Sequence, residues 1–336
     1  MKICFLNATQ GLANRGAETY VKELAKRLEK NHDVTILSSR EALPGRWPLL
    51  WRFFLTPYDL RILKFALKNA GKIYKNRYDA VIPLNSGWEA LITRIVTKLY
   101  GGKMIISGQS GKGWDERVNL WSFPDCFIAL SSQAKLWAKK VNPFVKVEYI
   151  PNGVDLTEFR PFGKTPHIAL KKPIVLCVGA LTPTKRIDLA IKAVAKLNGV
   201  SLLVAGDGAL KEEIKRMGEE LLGDRFYLIT VTHDKMPDLY RIADVFTIPS
   251  ESYYSFEIVI TEAMSTNLPV VVNDDPIRRE IVGDAGIFVD PENVDDYANA
   301  IKKALDAKWG NKPRLQADKF SWNSIAQRYE TLLSKL

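Results

Sequence analysis

One pattern, occurring twice, constrains the fold of this chain more than any other feature. Short β-branched runs alternate with stretches of helical periodicity, the arrangement of parallel strands joined by crossover helices. In the first series the runs predict strands at 3–6, 34–37, 80–84, 103–107, 126–130 and 145–150. A helix over 17–30 places Val21, Leu24, Ala25 and Leu28 on one face. The second series predicts strands at 174–178, 202–205, 226–229, 245–248, 270–272 and 287–289, with helices over 187–197, 257–264 and 294–305. Between the two, Pro151-Asn152-Gly153 is a turn signal, and 161–172 is loop-like, with Pro161, Gly163 and Pro166. At 336 residues the chain is too long for one ordinary core. The expectation is an α/β protein of two Rossmann-like, doubly wound domains, over 1–160 and 173–315 with a linker at 161–172. The carboxyl ends of their strands would face one interdomain cleft, and ligands bind at such edges.

Composition removes several function classes. With 46% hydrophobic and 26% charged residues, the chain reads as globular rather than disordered or fibrous. Cys4, Cys126 and Cys177 lie far apart in apolar runs, without disulfide or zinc spacing, which favours a reducing, intracellular setting. Neither a secretory signal nor an apolar stretch of the roughly 20 residues that span a bilayer is read. The charge is uneven. Residues 1–150 hold 24 Lys and Arg against 12 Asp and Glu, whereas the remainder holds 24 against 26. A basic first half suits phosphates, anionic lipid or an acidic acceptor, although it also suits plain solubility. No nucleic-acid motif accompanies it, so a nucleic-acid partner is not expected.

Three loops carry candidate chemistry. Gly11 to Gly16 lies between the first strand and first helix, where glycines let backbone N–H groups approach an anion. It does not match G-x-G-x-x-G, which disfavours a dinucleotide cofactor, and an ordinary βα turn is the alternative. Gly179 to Arg186 follows the first strand of the second series, with Lys185 and Arg186 beside the next helix as a diphosphate grip or a solvated pair. Pro249 to Met264 runs from a strand end into a helix expected to open near Ser255-Phe256, whose N–H groups suit phosphate oxygens. Glu262 in that helix needs donors, from a ribose diol or from a neighbouring cation. The three histidines, His32, His167 and His233, come with no metal signature, so neither metal catalysis nor a Ser-His-Asp triad is expected.

These residues resemble a known family. Ile150-Pro151-Asn152-Gly153-Val154-Asp155 with Phe159 and Pro161 is similar to the interdomain signature of the family-four retaining glycosyltransferases. Gly179 to Lys185, Gly206-Asp207-Gly208, Ala243-Asp244 with Pro249-Ser250, and Glu262-Ala263-Met264 with Pro269-Val270-Val271 follow in that family's order. Arg15-Gly16-Ala17-Glu18 resembles its amino-terminal glycine loop. Phe320-Ser321-Trp322 and the final helix, over 316–336, resemble the segment that crosses back to the first domain.

The resemblance implies a GT-B fold, a nucleotide-diphosphate sugar donor on the second domain and an acceptor on the first. It implies a metal-independent, cofactor-free reaction that retains anomeric configuration, with the leaving diphosphate stabilised electrostatically. Lys185 is then matched to the diphosphate, Glu262 to the ribose, the backbone of Phe256, Glu257 and Ile258 to the distal phosphate, and Gly16 to its other side. Three positions depart from the family's pattern. Ala180 replaces an arginine, Tyr254 replaces the first of two glutamates, and Gln109 stands where a first-domain histidine is usual. Arg186 is the candidate replacement cation, and Glu251 and Glu257 lie near the missing glutamate but out of register.

On the acceptor side the expectation names Arg15 and Trp114, within the loop Gly111 to Arg117. The aromatic, basic stretch 44–55 suits either a membrane interface or internal packing, with internal packing favoured. A cytoplasmic transferase acting on a glycan, glycolipid or lipid-linked acceptor, with peripheral membrane contact, is the leading reading. A nucleotide- or glycan-binding protein on the same fold is the alternative.

Overall fold

The computed structural model describes residues 1–336 apart from 12–15, 40, 42–43, 45–49 and 253–255. Arg15, Tyr254, Ser255 and residues 45–49 of the aromatic, basic stretch therefore lie outside the described residues. The chain forms two compact units, one of Met1–Asn152 with Trp322–Leu336, the other of Gly153–Ser321. The division falls at Asn152–Gly153, within the turn signal, rather than in the Pro-rich stretch that follows it.

Unit 1 holds strands β1 (Lys2–Leu6), β2 (Asp33–Leu37), β3 (Ala80–Pro83), β4 (Lys103–Ser107), β5 (Cys126–Ala129) and β6 (Val147–Tyr149). All pair in parallel, in the order β2-β1-β3-β4-β5-β6. Its helices begin with α1 (Gly16–Leu28), α2 (Pro57–Asn76), α3 (Trp88–Tyr100), α4 (Trp114–Trp121) and α5 (Ser132–Val141). Unit 2 repeats the plan with β7 (Ile174–Val178), β8 (Ser201–Ala205), β9 (Phe226–Ile229), β10 (Val245–Ile248), β11 (Val270–Asn273) and β12 (Gly286–Val289), in the order β12-β11-β10-β7-β8-β9. Its helices are α6 (Ile187–Ala195), α7 (Lys211–Leu222), α8 (Met236–Ile242), α9 (Ile258–Ser265), α10 (Pro276–Val282), α11 (Val294–Asp306) and α12 (Lys312–Asp318).

Every strand run read from the sequence is present. Strands buried on both faces need continuous apolar residues, and β7 and β8 are buried at all five positions. The largest mismatch is β6, three residues instead of six, because its pairing with β5 extends only over Phe127–Ala129. The 20-residue helix α2 was not read from the sequence at all. A Thr56–Asp59 capping box and Pro57 start it, and it buries Ile62, Phe65, Ala66, Asn69 and Ile73. Exposed Leu60, Leu67 and Tyr74 on its other side blur that periodicity.

The final helix, α13 (Trp322–Leu333), completes unit 1. Trp322 and Tyr329 are buried against Tyr20, whose hydroxyl lies 2.9 Å from that of Tyr329. His32 pairs with Glu330 at 2.5 Å, tying the final helix to the turn before β2.

In unit 2 the chain places β8 and β9 on one side of β7 and then crosses to place β10 on the other. The loops after β7 and β10 thus flank the switch point, the usual ligand position of such sheets. The loop after β7 is also laced to the one after β8, through Leu181 N–H to the Asp207 carbonyl at 2.9 Å. At Gly206 the approach is so close that an added Cβ would lie 2.0 Å from the Gly179 carbonyl oxygen.

A Gly206→Ala substitution is therefore expected to cost about 1–3 kcal/mol in thermal or denaturant unfolding, as overpacking does. Gly71→Ala, within α2 where a Cβ would meet nothing within 4 Å, is the opposite case and should stabilise by about 0.5–1 kcal/mol.

Candidate functional site

Lys185 closes a short 3₁₀ turn over Pro183–Lys185, and Arg186 follows in a left-handed conformation (φ 49°) as the N-cap of α6. The loop after β10 is tied to this turn by Glu251 N–H donating to the Thr184 carbonyl at 3.0 Å. Two loops more than 60 residues apart in sequence thus meet at one end of the sheet, and their charges meet with them.

The carboxylate of Glu257 lies at the centre of this meeting. It pairs with Lys185 Nζ at 2.5 Å and with Arg278 Nη2 at 2.7 Å. Ser250 Oγ–H donates to it at 2.7 Å and accepts in turn from Arg278 Nη2 at 2.7 Å. Arg278 also pairs with Asp275, whose carboxylate caps α10 by accepting from Ile277 N–H and Arg278 N–H. Burial alone would raise the Glu257 carboxyl, but Lys185 and then Arg278 outweigh it and hold it below the usual range. The four charges sum to zero. Arg278 is 2% exposed, and its Nε has no hydrogen-bond partner among the described residues.

The sequence names Glu257, with Lys185 and Gln109, as a catalytic candidate, although out of register with the family's first glutamate; the structure brings its carboxylate onto Lys185. Arg186 is not a spare cation, since it donates to the Pro249 carbonyl at 2.8 Å and pairs with exposed Glu292 at 2.8 Å. Helix α9 opens at Ile258, with Glu257 as N-cap, later than the expected Ser255-Phe256. Phe256 is buried, with its ring against Phe320 at 5.6 Å. The expected backbone cradle therefore narrows to the amides around Glu257 and Ile258.

Glu262, one turn further along α9, is buried and already has donors. Tyr240 O–H donates to it at 2.8 Å, and His233 Nε2 lies at 3.2 Å. Phe159 packs edge-on to both rings, at 5.6 Å and 5.8 Å. A carboxylate offers about four acceptor sites, so two such partners orient it without saturating it.

In unit 1 Gln109 follows β4. Its amide donates to Ser107 Oγ at 2.9 Å and to Asn152 Oδ1 at 3.2 Å, and accepts from Asn152 Nδ2 at 2.9 Å. Trp114 opens α4 and donates to the Arg52 carbonyl at 2.9 Å. It lines a cavity of about 520 Å³ with Phe53, Trp88, Leu91, Arg117 and Trp121. Of the described part of 44–55, Phe54 is buried but Phe53, Leu50 and Leu55 are exposed, so internal packing does not account for that part. Behind the Gln109 loop Glu116 accepts from Ser110 N–H at 2.8 Å and Asn119 Nδ2 at 2.9 Å, and burial pushes its carboxyl up to about 7. Gly16 begins α1.

Arg278, Asp275, Ser250, Tyr240, His233 and Asn152 were not singled out as site residues from the sequence. The three cysteines are buried and unbridged. Among the described residues, no three His, Cys, Asp or Glu side chains gather as a metal site, and no helix is long and apolar enough to cross a membrane.

Two wholly parallel six-stranded sheets with flanking helices, and a charged site at the switch point of the second, define a GT-B fold. The family described as Glycosyltransferase Family 4 matches residues 14–158, and the family described as Glycosyl transferases group 1 matches residues 162–320. The chain belongs to the group 1 glycosyltransferases. It is 31% identical over 195 residues to D-inositol 3-phosphate glycosyltransferase of Mycolicibacterium smegmatis, covering 53% of this chain and 44% of that relative. It is 26% identical over 221 residues to the GDP-mannose-dependent alpha-(1-6)-phosphatidylinositol monomannoside mannosyltransferase of Mycobacterium tuberculosis, covering 60% and 57%. The matches thus span about half the length of these relatives. The structure of Anabaena HepE in complex with UDP and glucose superposes with a TM-score of 0.79 at 19% identity, covering 100% of both chains.

Arg278→Met should cost about 3–5 kcal/mol in unfolding experiments, because it leaves two buried carboxylates short of a cation. Adding Glu257→Gln should recover part of that loss, which a double-mutant cycle reads directly. For Glu116 the folded pKa of about 7 lies above the ordinary 4.5, so charging it opposes folding. Stability should accordingly fall by roughly 2–3 kcal/mol between about pH 4.5 and 7. Glu116→Gln should remove its share of the decline in melts taken across the range, leaving the share from Glu89, whose carboxyl burial likewise pushes up to about 7.

Proposed function

We propose that this chain transfers a sugar from a UDP- or GDP-linked donor to a glycan, glycolipid or lipid-linked acceptor, with retention of configuration and without a metal. The observation that supports this most is the pairing of Lys185 with Glu257 and of Glu262 with Tyr240 around the two loops at the switch point of unit 2. A nucleoside diphosphate needs positive charge at its phosphates and acceptors for its ribose hydroxyls, and these residues offer both. Lys185 and the amides at the start of α9 would stabilise the departing diphosphate. Glu262, oriented by Tyr240 and His233, would hold the ribose. From unit 1, Gln109, locked by Asn152, would hydrogen-bond a hydroxyl of the transferred sugar, Gly16 would close on the distal phosphate, and Arg15 and Trp114 would serve the acceptor.

Leaving-group stabilisation by fixed cations and amides needs no divalent ion, and chelation is expected to leave turnover unchanged. The exposed aromatic residues beside Trp114, with Arg52 and Arg117, suit an acceptor presented at a cytoplasmic membrane surface.

A second reading has its own support. The Lys185–Glu257–Arg278–Asp275 cluster is neutral, and Ala180 adds no cation, so the site attracts a diphosphate less than a bare lysine–arginine pair would. Loss of one charged phosphate contact costs a few kcal/mol in the transition state, on the order of a hundredfold in rate. A nucleotide-binding protein without transfer is the alternative.

Thermal melts with UDP, GDP, ADP and their sugar conjugates test both readings. One nucleotide series should raise the melting temperature of the wild type, and Lys185→Ala and Glu262→Ala should each abolish the rise. Release of free nucleotide from the stabilising conjugate then marks the transferase, retention without release marks the binding protein, and no stabilisation by any nucleotide overturns both.

A further inference from the structure

A cavity of about 340 Å³ opens in unit 1 beside the carboxyl ends of β1 and β2. One wall is made by Ala8, Ser38 and Ser39, directly after those strands, where Ser39 N–H donates to the Ala8 carbonyl at 3.3 Å. The opposite wall is α2, which contributes Arg61, Lys64, Lys68 and Lys72. Their spacing of three, four and four residues places all four on one helix face.

Among the described residues, Glu41 is the one carboxylate that lines this cavity. The side chains of Lys64, Lys68 and Lys72 take part in no ion pair or hydrogen bond with any described residue. Like charges three or four residues apart destabilise a helix by about 0.2–0.5 kcal/mol per pair. Helices α6 and α7 put opposite charges at that spacing, Lys192 with Asp188 and Lys215 with Glu219, while α1, α3 and α5 each carry a single like-signed pair, Lys22/Lys26, Arg94/Lys98 and Lys135/Lys139. On α2 the same spacing is filled with one sign, and the row faces a concavity. A low-dielectric recess lined by one sign of charge concentrates an anion far better than a flat surface does. The serine hydroxyls at the strand ends add neutral donors suited to phosphate oxygens.

We propose that this cavity is an anion site that binds the phosphate group of a phosphorylated acceptor. The word acceptor rests on the transferase reading; the phosphate site rests on the cavity alone. The volume accommodates a small phosphorylated polyol, and the same chemistry recognises a phospholipid headgroup.

Two probes separate these sources: glycerol 3-phosphate titrated into the full chain by calorimetry, and phosphatidylcholine vesicles with and without phosphatidic acid in co-sedimentation. The test variant is Lys64→Gln with Lys68→Gln. Its control, Lys139→Gln with Lys140→Gln, removes the same charge from the exposed last turn of α5. Loss of two charge-assisted contacts should weaken binding by about ten- to a hundredfold in the test variant, with much less effect in the control.

Binding of glycerol 3-phosphate that is lost in the test variant supports the site with a free acceptor. Binding to phosphatidic acid vesicles alone, lost in the same variant, supports it with a lipid headgroup. The proposal is overturned if the wild type binds neither probe, or if the control pair weakens binding as much as the test pair. Nucleotide melts on the same samples keep the two readings apart. Stabilisation by nucleotide without phosphate binding leaves the transferase reading standing, and the reverse leaves the anion site standing without it.

Discussion

A single carboxylate organises the charged end of the second sheet. Glu257 is buried, yet it stays ionised because Lys185, Arg278 and Ser250 all address it. Each of those partners comes from a different segment: the turn after β7, the start of α10 and the end of β10. Fixing one carboxylate therefore fixes three loops that a parallel sheet would otherwise leave to find their own positions. The neutrality of the cluster makes its burial tolerable, since an unpaired charge there would cost several kcal/mol. It also means that Lys185 is held in a defined rotamer by a protein group, so that an incoming anion meets a lysine already oriented, though shared.

The sequence disclosed the architecture well because the strands are buried on both faces and read as unbroken apolar runs. It disclosed helices less well. In α2 the buried set is interleaved with Leu60, Leu67 and Tyr74, which are apolar but exposed, so the helical period is hidden by extra hydrophobic residues rather than by too few. The lysine row on the same helix was counted only as part of a basic half, because its direction depends on a helix that had not been read.

The site was legible where it follows local rules and obscure where it depends on pairing at a distance. Lys185 and Glu262 could be named from loop and helix context. That Glu257 would meet Lys185, 72 residues earlier, could not. Arg278 is the clearest case. Flanked by Asp274, Asp275, Arg279 and Glu280, it looks like part of a solvated charged turn, yet it is almost fully buried. The signal was present in Asp275-Pro276, a capping residue followed by a proline at the first helical position, which sets a helix start there. What that signal lacks is the identity of the partner, which only the assembled sheet supplies.

The closing helix has a consequence for how the molecule comes into being. Unit 2 is one uninterrupted stretch of chain, whereas unit 1 is assembled from both ends of the polypeptide. Tyr20 must wait for Tyr329, 309 residues later, before the hydroxyl pair between α1 and α13 can form. A ribosome delivers the first sheet well before the helix that covers one of its flanks, with the whole of unit 2 made in between. During that interval Tyr20 lacks its covering aromatics, and unit 1, begun before unit 2, is finished after it.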